Sequence, residues 1–256
     1  MTSPVPQGAY RVVAGTYQIE GGREYRFDAY IPDPLPDRPP PTVILVHGDG
    51  PPEFLHEPRL WGQYRSWGTL LAANGLAAIA FDHGSSEGRT KMQPVVAEIR
   101  GLMAAVERES DQLGIDTTRT CVWSGSAGVP FGFVASLDQP SVRCQVAFYG
   151  PMDLGGDDTR TTGNAAAADL AEYSPITHLE RRREALPPLF IAKAGLDRPG
   201  INDSIDAFVT RAKEFGAHVQ LETHPDGRHA FDILDDDDRS REVIQASLAF
   251  MRAHLA

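Results

Sequence analysis

Ser126 is the residue of this sequence whose surroundings most directly suggest chemistry. It stands at the centre of the segment 124–128 (SGSAG), immediately after the short apolar run 120–123 (TCVW). The run is typical of a buried strand and the residues after Ser126 are typical of the start of a helix, so the serine would occupy a sharp strand-to-helix turn. Such a turn needs small neighbours and lifts the hydroxyl clear of the sheet, where it can attack an acyl carbon. The five residues alone fit an ordinary glycine- and serine-rich loop equally well.

A serine nucleophile needs a base, and that base needs an orienting acid; candidates for both follow other predicted strands. Asp197 comes shortly after the strand 189–194 (LFIAKA), and His229 follows the last predicted strand, 219–223. The spacing of 32 residues from Asp197 to His229 leaves room for one helix and one strand, which would bring both side chains to the same edge of a sheet. The sequence therefore predicts a catalytic set of Ser126, Asp197 and His229.

Other acids compete with Asp197 for the orienting role, and the plain alternative is a turn aspartate beside a loop histidine. Asp153, after the predicted strand 142–149, and Asp203 are the competing acids. Two aspartates lie so close to His229 in sequence that we expect ordinary turn residues there: Asp226 and Asp232.

Acyl transfer also needs fixed hydrogen-bond donors for the oxygen that becomes negative in the transition state. The backbone N–H of Ala127, at the predicted helix start, is one candidate. The second is expected from the loop after the strand 42–46 (TVILV), at Gly48 or Asp49. His47 begins that loop, and we expect it to shape the loop rather than to transfer a proton.

The elements that must position these residues alternate between strands and helices. Two strands, 10–16 and 24–30, flank the turn 20–22 (EGG) and are predicted to form a hairpin. Beyond residue 41, the alternation of apolar runs with helical periodicity indicates βαβ units and a mostly parallel sheet, in which ligands bind at the carboxyl ends of the strands. The predicted strands are 42–46, 76–81, 120–123, 142–149, 189–194 and 219–223, and the predicted helices are 60–74, 93–113, the one after Ser126, 204–215 and 240–254.

The segment 151–187 interrupts this alternation. It is polar, long and rich in small residues, with a GGDD run at 155–158 and an alanine run at 165–168. We interpret the chain as a single domain, 1–256, with a lid or insertion at about 151–187; a surface excursion without a role in substrate binding is the alternative.

Five segments spread over most of the chain resemble the α/β-hydrolase superfamily, and within it the dienelactone hydrolase-like and carboxylesterase-like families. The resemblance implies an α/β-hydrolase fold: a mostly parallel central sheet with an antiparallel N-terminal hairpin and helices on both faces. It also implies that no cofactor and no metal take part. Dienelactone hydrolases proper use a cysteine nucleophile, so Ser126 at that position favours a serine esterase. The resembling segments are TVILVHGDG at 42–50, SGSAG at 124–128, SPITHL at 174–179, AGLD at 194–197 and GRHAF at 227–231.

The composition argues against several classes of partner. The chain has 256 residues, 41% of them hydrophobic, which suffices for a proper core. Its formal net charge of −11 disfavours nucleic acid and anionic membranes, and no apolar stretch approaches the ~20 residues that span a bilayer. Residues 1–10 lack the pattern of a signal peptide, so we expect a cytoplasmic protein, monomeric or homodimeric. We expect Cys121 and Cys144 to be reduced and packed.

The acidic run 235–238 precedes the last predicted helix. Acidic groups there oppose the positive end of the helix dipole, so we expect no metal ion at this run.

These observations favour a serine hydrolase that cleaves a carboxylic ester of a small molecule through an acyl-enzyme intermediate. An amide, a thioester or a lactone is the alternative bond, because the same set of side chains cleaves all of them. A non-catalytic binding protein on the same scaffold is the remaining alternative.

Overall fold

The computed structural model describes residues 8–19, 21–155, 165–181 and 186–256. Within these ranges the strands are β1 (Tyr10–Gln18), β2 (Glu24–Pro32), β3 (Pro41–Val46), β4 (Ala77–Phe81), β5 (Asp116–Gly125), β6 (Val142–Phe148), β7 (Leu189–Ala194) and β8 (Val219–His224). The helices are α1 (Gly62–Ala73), α2 (Met92–Arg108), α3 (Ser110–Leu113), α4 (Val129–Ser136), α5 (Ala167–Tyr173), α6 (Pro175–Arg181), α7 (Pro199–Glu214), α8 (Phe231–Leu234) and α9 (Asp238–Leu255).

The strands form one sheet in the order β1-β2-β4-β3-β5-β6-β7-β8. β1 pairs antiparallel with β2, and β2 pairs antiparallel with β4. Every pair from β4 across to β8 is parallel. The predicted mostly parallel sheet with an N-terminal antiparallel hairpin is confirmed, although Glu20 in the predicted hairpin turn lies outside the described residues.

Alternate side chains of β3 show why this sheet needs helices on both faces. Val43 and Leu45 pack into a core that includes residues of α1 and α9. Ile44 and Val46 point to the opposite face and pack with residues of α2, α4 and α7. Because both sets are almost fully buried, β3 is apolar at every position from Val43 to Val46 rather than alternating, as is typical of a central parallel strand.

The bounds of three helices differ from the sequence prediction. The helix predicted at 204–215 begins earlier, at Pro199, and ends at Glu214. The helix predicted at 60–74 begins at Gly62, because a short 3-10 turn at Pro58–Leu60 precedes it. The helix predicted at 93–113 is two helices, with Glu109 between them at a φ of −95° and a ψ of 1°. Each of these helices still places buried apolar residues in the core.

The acidic run before α9 has a structural role. The Asp237 carboxylate accepts a hydrogen bond from the Ser240 N–H and so caps the first turn of α9. Its other partner is the His224 imidazole, at 3.0 Å. Ligand atoms of His224, Asp235 and Asp237 lie within 4.8 Å of one another, but Asp235 already accepts from the Arg228 backbone and side chain. The cap and these pairings explain the cluster without an ion.

The segment 151–187 is described in part, because 156–164 and 182–185 lie outside the described residues. Its described portion contains α5 and α6, which pack against α4, and α6 also packs against α7. None of the described helices is long and apolar enough to cross a membrane. Cys121 and Cys144 are free, buried thiols that face one another in register across β5 and β6.

Candidate active site

Ser126 lies at the sharp turn that joins β5 to α4. Its φ of 53° is in the left-handed region, which a non-glycine residue adopts at a cost, and a single 3-10 turn then leads into α4. Two glycines allow the backbone to approach closely here: a Cβ on Gly128 would clash with the His47 carbonyl, and one on Gly150 would clash with Val129. The small residues around the serine therefore serve the turn that the sequence predicted.

The three side chains predicted to act together meet at the carboxyl edge of the sheet. The Ser126 Oγ lies 2.7 Å from the His229 Nε2, and the His229 Nδ1 lies 2.6 Å from the Asp197 Oδ2. The carboxylate of Asp197 is an acceptor, so Nδ1 carries the proton and Nε2 accepts from the serine hydroxyl. This is the hydrogen-bonded arrangement in which an imidazole can take the serine proton.

Asp197 is held rigidly beside the histidine. Its side chain is 1% exposed, its Oδ1 accepts from the Arg198 N–H at 2.8 Å, and its backbone N–H donates to the Ala194 carbonyl. The competing acids lie elsewhere: the Asp153 Oδ1 accepts from Gly155 and Ser174, and Asp203 is exposed on α7. Asp197 is thus the one of the three that contacts His229.

The loop after β3 passes directly over Ser126. A Cβ placed on Gly48 would lie 3.5 Å from the Ser126 Cβ. The Gly48 N–H donates to the buried Tyr64 hydroxyl at 3.1 Å, so one of the two predicted donors in this loop already has a partner. Asp49 and Ala127 both line the cavity beside Ser126.

His47 shapes this loop through a buried pair of histidines. The rings of His47 and His83 stack with centroids 3.5 Å apart. The His47 Nε2 accepts from the His83 N–H, so its Nδ1 carries the proton and donates to the Gly48 carbonyl at 2.7 Å. Burial lowers the pKa of both imidazoles, and the neighbouring His83 ring lowers the pKa of His47 further, so His47 remains neutral.

A strained segment after β4 forms the facing wall. Glu87, Gly88 and Arg89 have φ values of 49°, 69° and 72°, three consecutive left-handed residues of which two are not glycine. Ser86 fastens this segment: its N–H donates to the Asp49 Oδ1 at 3.0 Å, and its hydroxyl donates to the Asp49 Oδ2. The Asp49 carboxylate therefore joins two walls of the site, a contact that the sequence prediction missed.

Arg89 also lines the cavity. Desolvation lowers the pKa of Arg89 to about 10, with Arg198 adding to the effect and Asp49 opposing it.

A cavity of about 1170 Å³ opens above the serine. Its walls are three segments, 49–54, 87–89 and 196–201, the last of which includes the start of α7. Pro151 is the described residue of 151–187 that lines the cavity. Phe54 and Leu196 both line the cavity, in different segments, and each is 64% exposed. The lining residues are Asp49, Gly50, Pro51, Pro52, Phe54, Glu87, Gly88, Arg89, Ser126, Ala127, Pro151, Leu196, Asp197, Arg198, Ile201 and His229.

Sequence reasoning also missed a buried polar group beneath the histidine. Asp232, expected to be an ordinary turn residue, is 9% exposed, and its carboxylate accepts hydrogen bonds from Gln63, Trp67 and Tyr149. The Tyr149 ring lies against the His229 ring, with centroids 4.8 Å apart. Only the spacing of Asp232, three residues after His229, could have pointed to it.

The sheet order and the strand-end site define the α/β-hydrolase fold, and solved structures with that fold superpose on nearly the whole chain. A thermostable esterase from Pseudomonas putida gives a TM-score of 0.79 at 16% identity, covering 99% of this chain and 86% of that chain. A bacterial heroin esterase gives 0.76 at 16% identity, covering 99% and 87%. A fungal esterase from Rhizomucor miehei gives 0.77 at 15% identity, covering 99% and 84%. No protein-family model and no curated protein matches the chain.

Proposed function

We propose that this protein is a serine hydrolase that cleaves a carboxylic ester of a small molecule through an acyl-enzyme intermediate. The observation that carries the proposal is the continuous hydrogen-bonded path from Ser126 through His229 to Asp197, at 2.7 and 2.6 Å, on the floor of an open cavity. The names of the superposed structures, all esterases, support an ester as the bond.

In the first half-reaction, the Ser126 Oγ attacks the ester carbonyl while its proton passes to the His229 Nε2. The tetrahedral intermediate then collapses, the carbon–oxygen bond to the alcohol breaks, and His229 returns the proton to the departing oxygen. In the second half-reaction, a water gives its proton to His229 and attacks the acyl carbon; collapse releases the acid and restores the serine hydroxyl. Asp197 holds the Nδ1 proton and stabilises the imidazolium in both halves.

The oxygen that becomes negative is stabilised by the Ala127 and Asp49 backbone N–H groups. Both residues line the cavity beside Ser126, whereas the Gly48 N–H already donates to Tyr64. Loss of one such donor costs on the order of 3 kcal/mol of barrier, so the conformation of the 47–50 loop matters directly for the rate.

The direct test is to trap the intermediate. The protein is mixed with a p-nitrophenyl ester, quenched within the burst of p-nitrophenol release, and analysed by peptide mass spectrometry. We expect an acyl adduct on Ser126, and a fluorophosphonate probe should label the same residue. Turnover without any adduct, or an adduct on another residue, would contradict the mechanism; absence of both turnover and labelling would favour the binding-protein alternative. Hydrolysis rates for a panel of matched ester, amide, thioester and lactone substrates show which type of bond the protein cleaves.

Removal of the Asp49 side chain tests the contact between the two cavity walls. Asp49→Ala keeps the backbone N–H but loses both hydrogen bonds to Ser86, so the loop that presents the N–H is held less firmly. We expect kcat to fall by about tenfold, since small displacements of aligned groups are costly. Ser86→Ala removes the shorter of the two bonds and should give part of the same loss. Additive losses in the double variant would show that the two residues act independently.

The apolar cavity wall predicts a preference for bulky acyl groups. Phe54→Ala removes an aromatic ring that is largely exposed in the free protein, so we expect little change in the unfolding midpoint. For p-nitrophenyl octanoate KM should rise about fivefold, corresponding to ~1 kcal/mol of lost apolar contact, while the acetate ester is unaffected. Leu234→Ala is the matched control, because Leu234 is 55% exposed and does not line the cavity. Equal effects on both esters would remove Phe54 from the acyl site.

A further inference from the structure

The buried carboxylate of Asp232 gathers donors from two separate elements. Its Oδ1 accepts from the Tyr149 hydroxyl at 2.6 Å, at the end of β6. Its Oδ2 accepts from the Trp67 Nε1 at 2.7 Å and from the Gln63 Nε2 at 2.9 Å, both on α1. Three neutral donors converge on one point, and a carboxylate, with two oxygens and no hydrogen, is the side chain that can accept from all of them. Burial raises the pKa of the Asp232 carboxyl, and the three hydrogen bonds oppose part of that rise by stabilising the charged form.

Two links run from Asp232 to His229. The first is through space: the Tyr149 hydroxyl is tied to Asp232, and the Tyr149 ring packs against the imidazole at 4.8 Å with an interplanar angle of 60°. The phenol keeps its proton as a donor, because burial and the neighbouring Asp232 charge raise the pKa of Tyr149. Tyr149 itself adopts a strained φ of 39°, so the ring is held there by its surroundings rather than by local preference.

The second link is through the backbone. Ala230, next to the histidine, has a φ of 65° and begins the single turn of α8 that carries Asp232. The Arg228 N–H and guanidinium bond to Asp235 and to the Leu234 carbonyl, which closes the segment 228–235 on itself. Asp232 connects this closed segment to α1.

We propose that Asp232 is a positioning residue that, through the Tyr149 ring and the 228–235 segment, keeps the His229 imidazole within hydrogen-bonding reach of Ser126. It contacts neither Ser126 nor the cavity, and it acts only through His229. The inference rests on the proposed function, in which His229 moves a proton to and from a bound substrate. A histidine that must accept and return a proton twice in each cycle needs a fixed ring, because a displacement of about 1 Å is enough to slow such a step severely.

Asp232→Asn tests the proposal with nearly unchanged shape. The amide keeps one acceptor oxygen and presents an N–H group to at least one of the converging donors, so the network is broken on one side. We expect kcat to fall by about ten- to a hundredfold while KM stays within about twofold of wild type. The matched control is Asp28→Asn: Asp28 is also 9% exposed, but it lies in β2 beside Arg59, remote from His229. The control should lose stability and retain kcat.

Two further measurements keep the test decisive. Tyr149→Phe keeps the ring and removes only the hydroxyl that Asp232 holds. We expect kcat to fall about threefold or more with KM unchanged. If Asp232→Asn does not fold, this variant still tests the proposal. A crystal structure of Asp232→Asn should show the Ser126 Oγ to His229 Nε2 distance lengthened from 2.7 Å. That distance is measured without a substrate, so it separates this inference from the proposed function. Wild-type kcat in Tyr149→Phe, or an unchanged distance in Asp232→Asn, would overturn the inference.

Discussion

Replacement of Ser126 by alanine should lower kcat for a p-nitrophenyl ester by about 10⁴- to 10⁶-fold, leaving only the residual rate that substrate binding and the backbone donors supply. The hydroxyl is the atom that forms the new bond, so no neighbouring group can substitute for it once it is gone. Alanine has the same Cβ as serine and adds no strain at the φ of 53°, so we expect the variant to fold as the wild type does.

The matched control for this variant is Ser124→Ala, two residues earlier on the same strand. Ser124 is 3% exposed and does not line the cavity, so the same substitution there should leave hydrolysis at the wild-type level. Initial rates are compared after circular dichroism has confirmed that both variants are folded. Equal rates in wild type and Ser126→Ala would remove Ser126 from the reaction.

Asp197→Asn should lower kcat by about 10⁴-fold, the second largest effect that we expect. An asparagine that presents its amide N–H to the His229 Nδ1 would favour the other tautomer, with the proton on Nε2. The Ser126 hydroxyl would then meet a donor instead of an acceptor, although every atom occupies nearly the same place. Because the substitution changes tautomer rather than shape, we expect KM to change little.

The competing acids supply the controls for this prediction. Asp153→Asn and Asp203→Asn make the same chemical change at residues that do not contact His229, and both should retain wild-type kcat. Steady-state kinetics of the three variants with one ester is sufficient. A large loss in Asp153→Asn together with normal activity in Asp197→Asn would assign the acid to Asp153 instead.

The sequence was informative about the site wherever a functional residue closely follows a strand. Ser126 directly follows β5, Asp197 and His229 come within a few residues after β7 and β8, and the parallel order of these strands brings all three to one edge. The fold followed from the same signal, because apolar runs of strand length alternate with helical periodicity along most of the chain.

The contacts around these residues were not predictable in the same way. Asp232 meets Tyr149 across 83 positions and Trp67 across 165, and no local pattern marks such pairs. The Asp49 carboxylate likewise bonds to Ser86 across 37 positions. The residues that follow, Glu87 and Arg89, adopt a left-handed backbone that neither residue type favours. Both features depend on the completed fold, which overrides local preference.

The proposed catalytic side chains follow strand ends, whereas the cavity walls are segments outside the sheet, at 49–54, 87–89 and 196–201. Loops tolerate substitution far better than the buried strands that they connect. Divergence of these walls can therefore change which molecule is accepted while the bond-breaking apparatus stays intact. A descendant or engineered form of this protein could acquire a new preferred substrate by loop exchange alone, with the eight-stranded scaffold inherited unaltered.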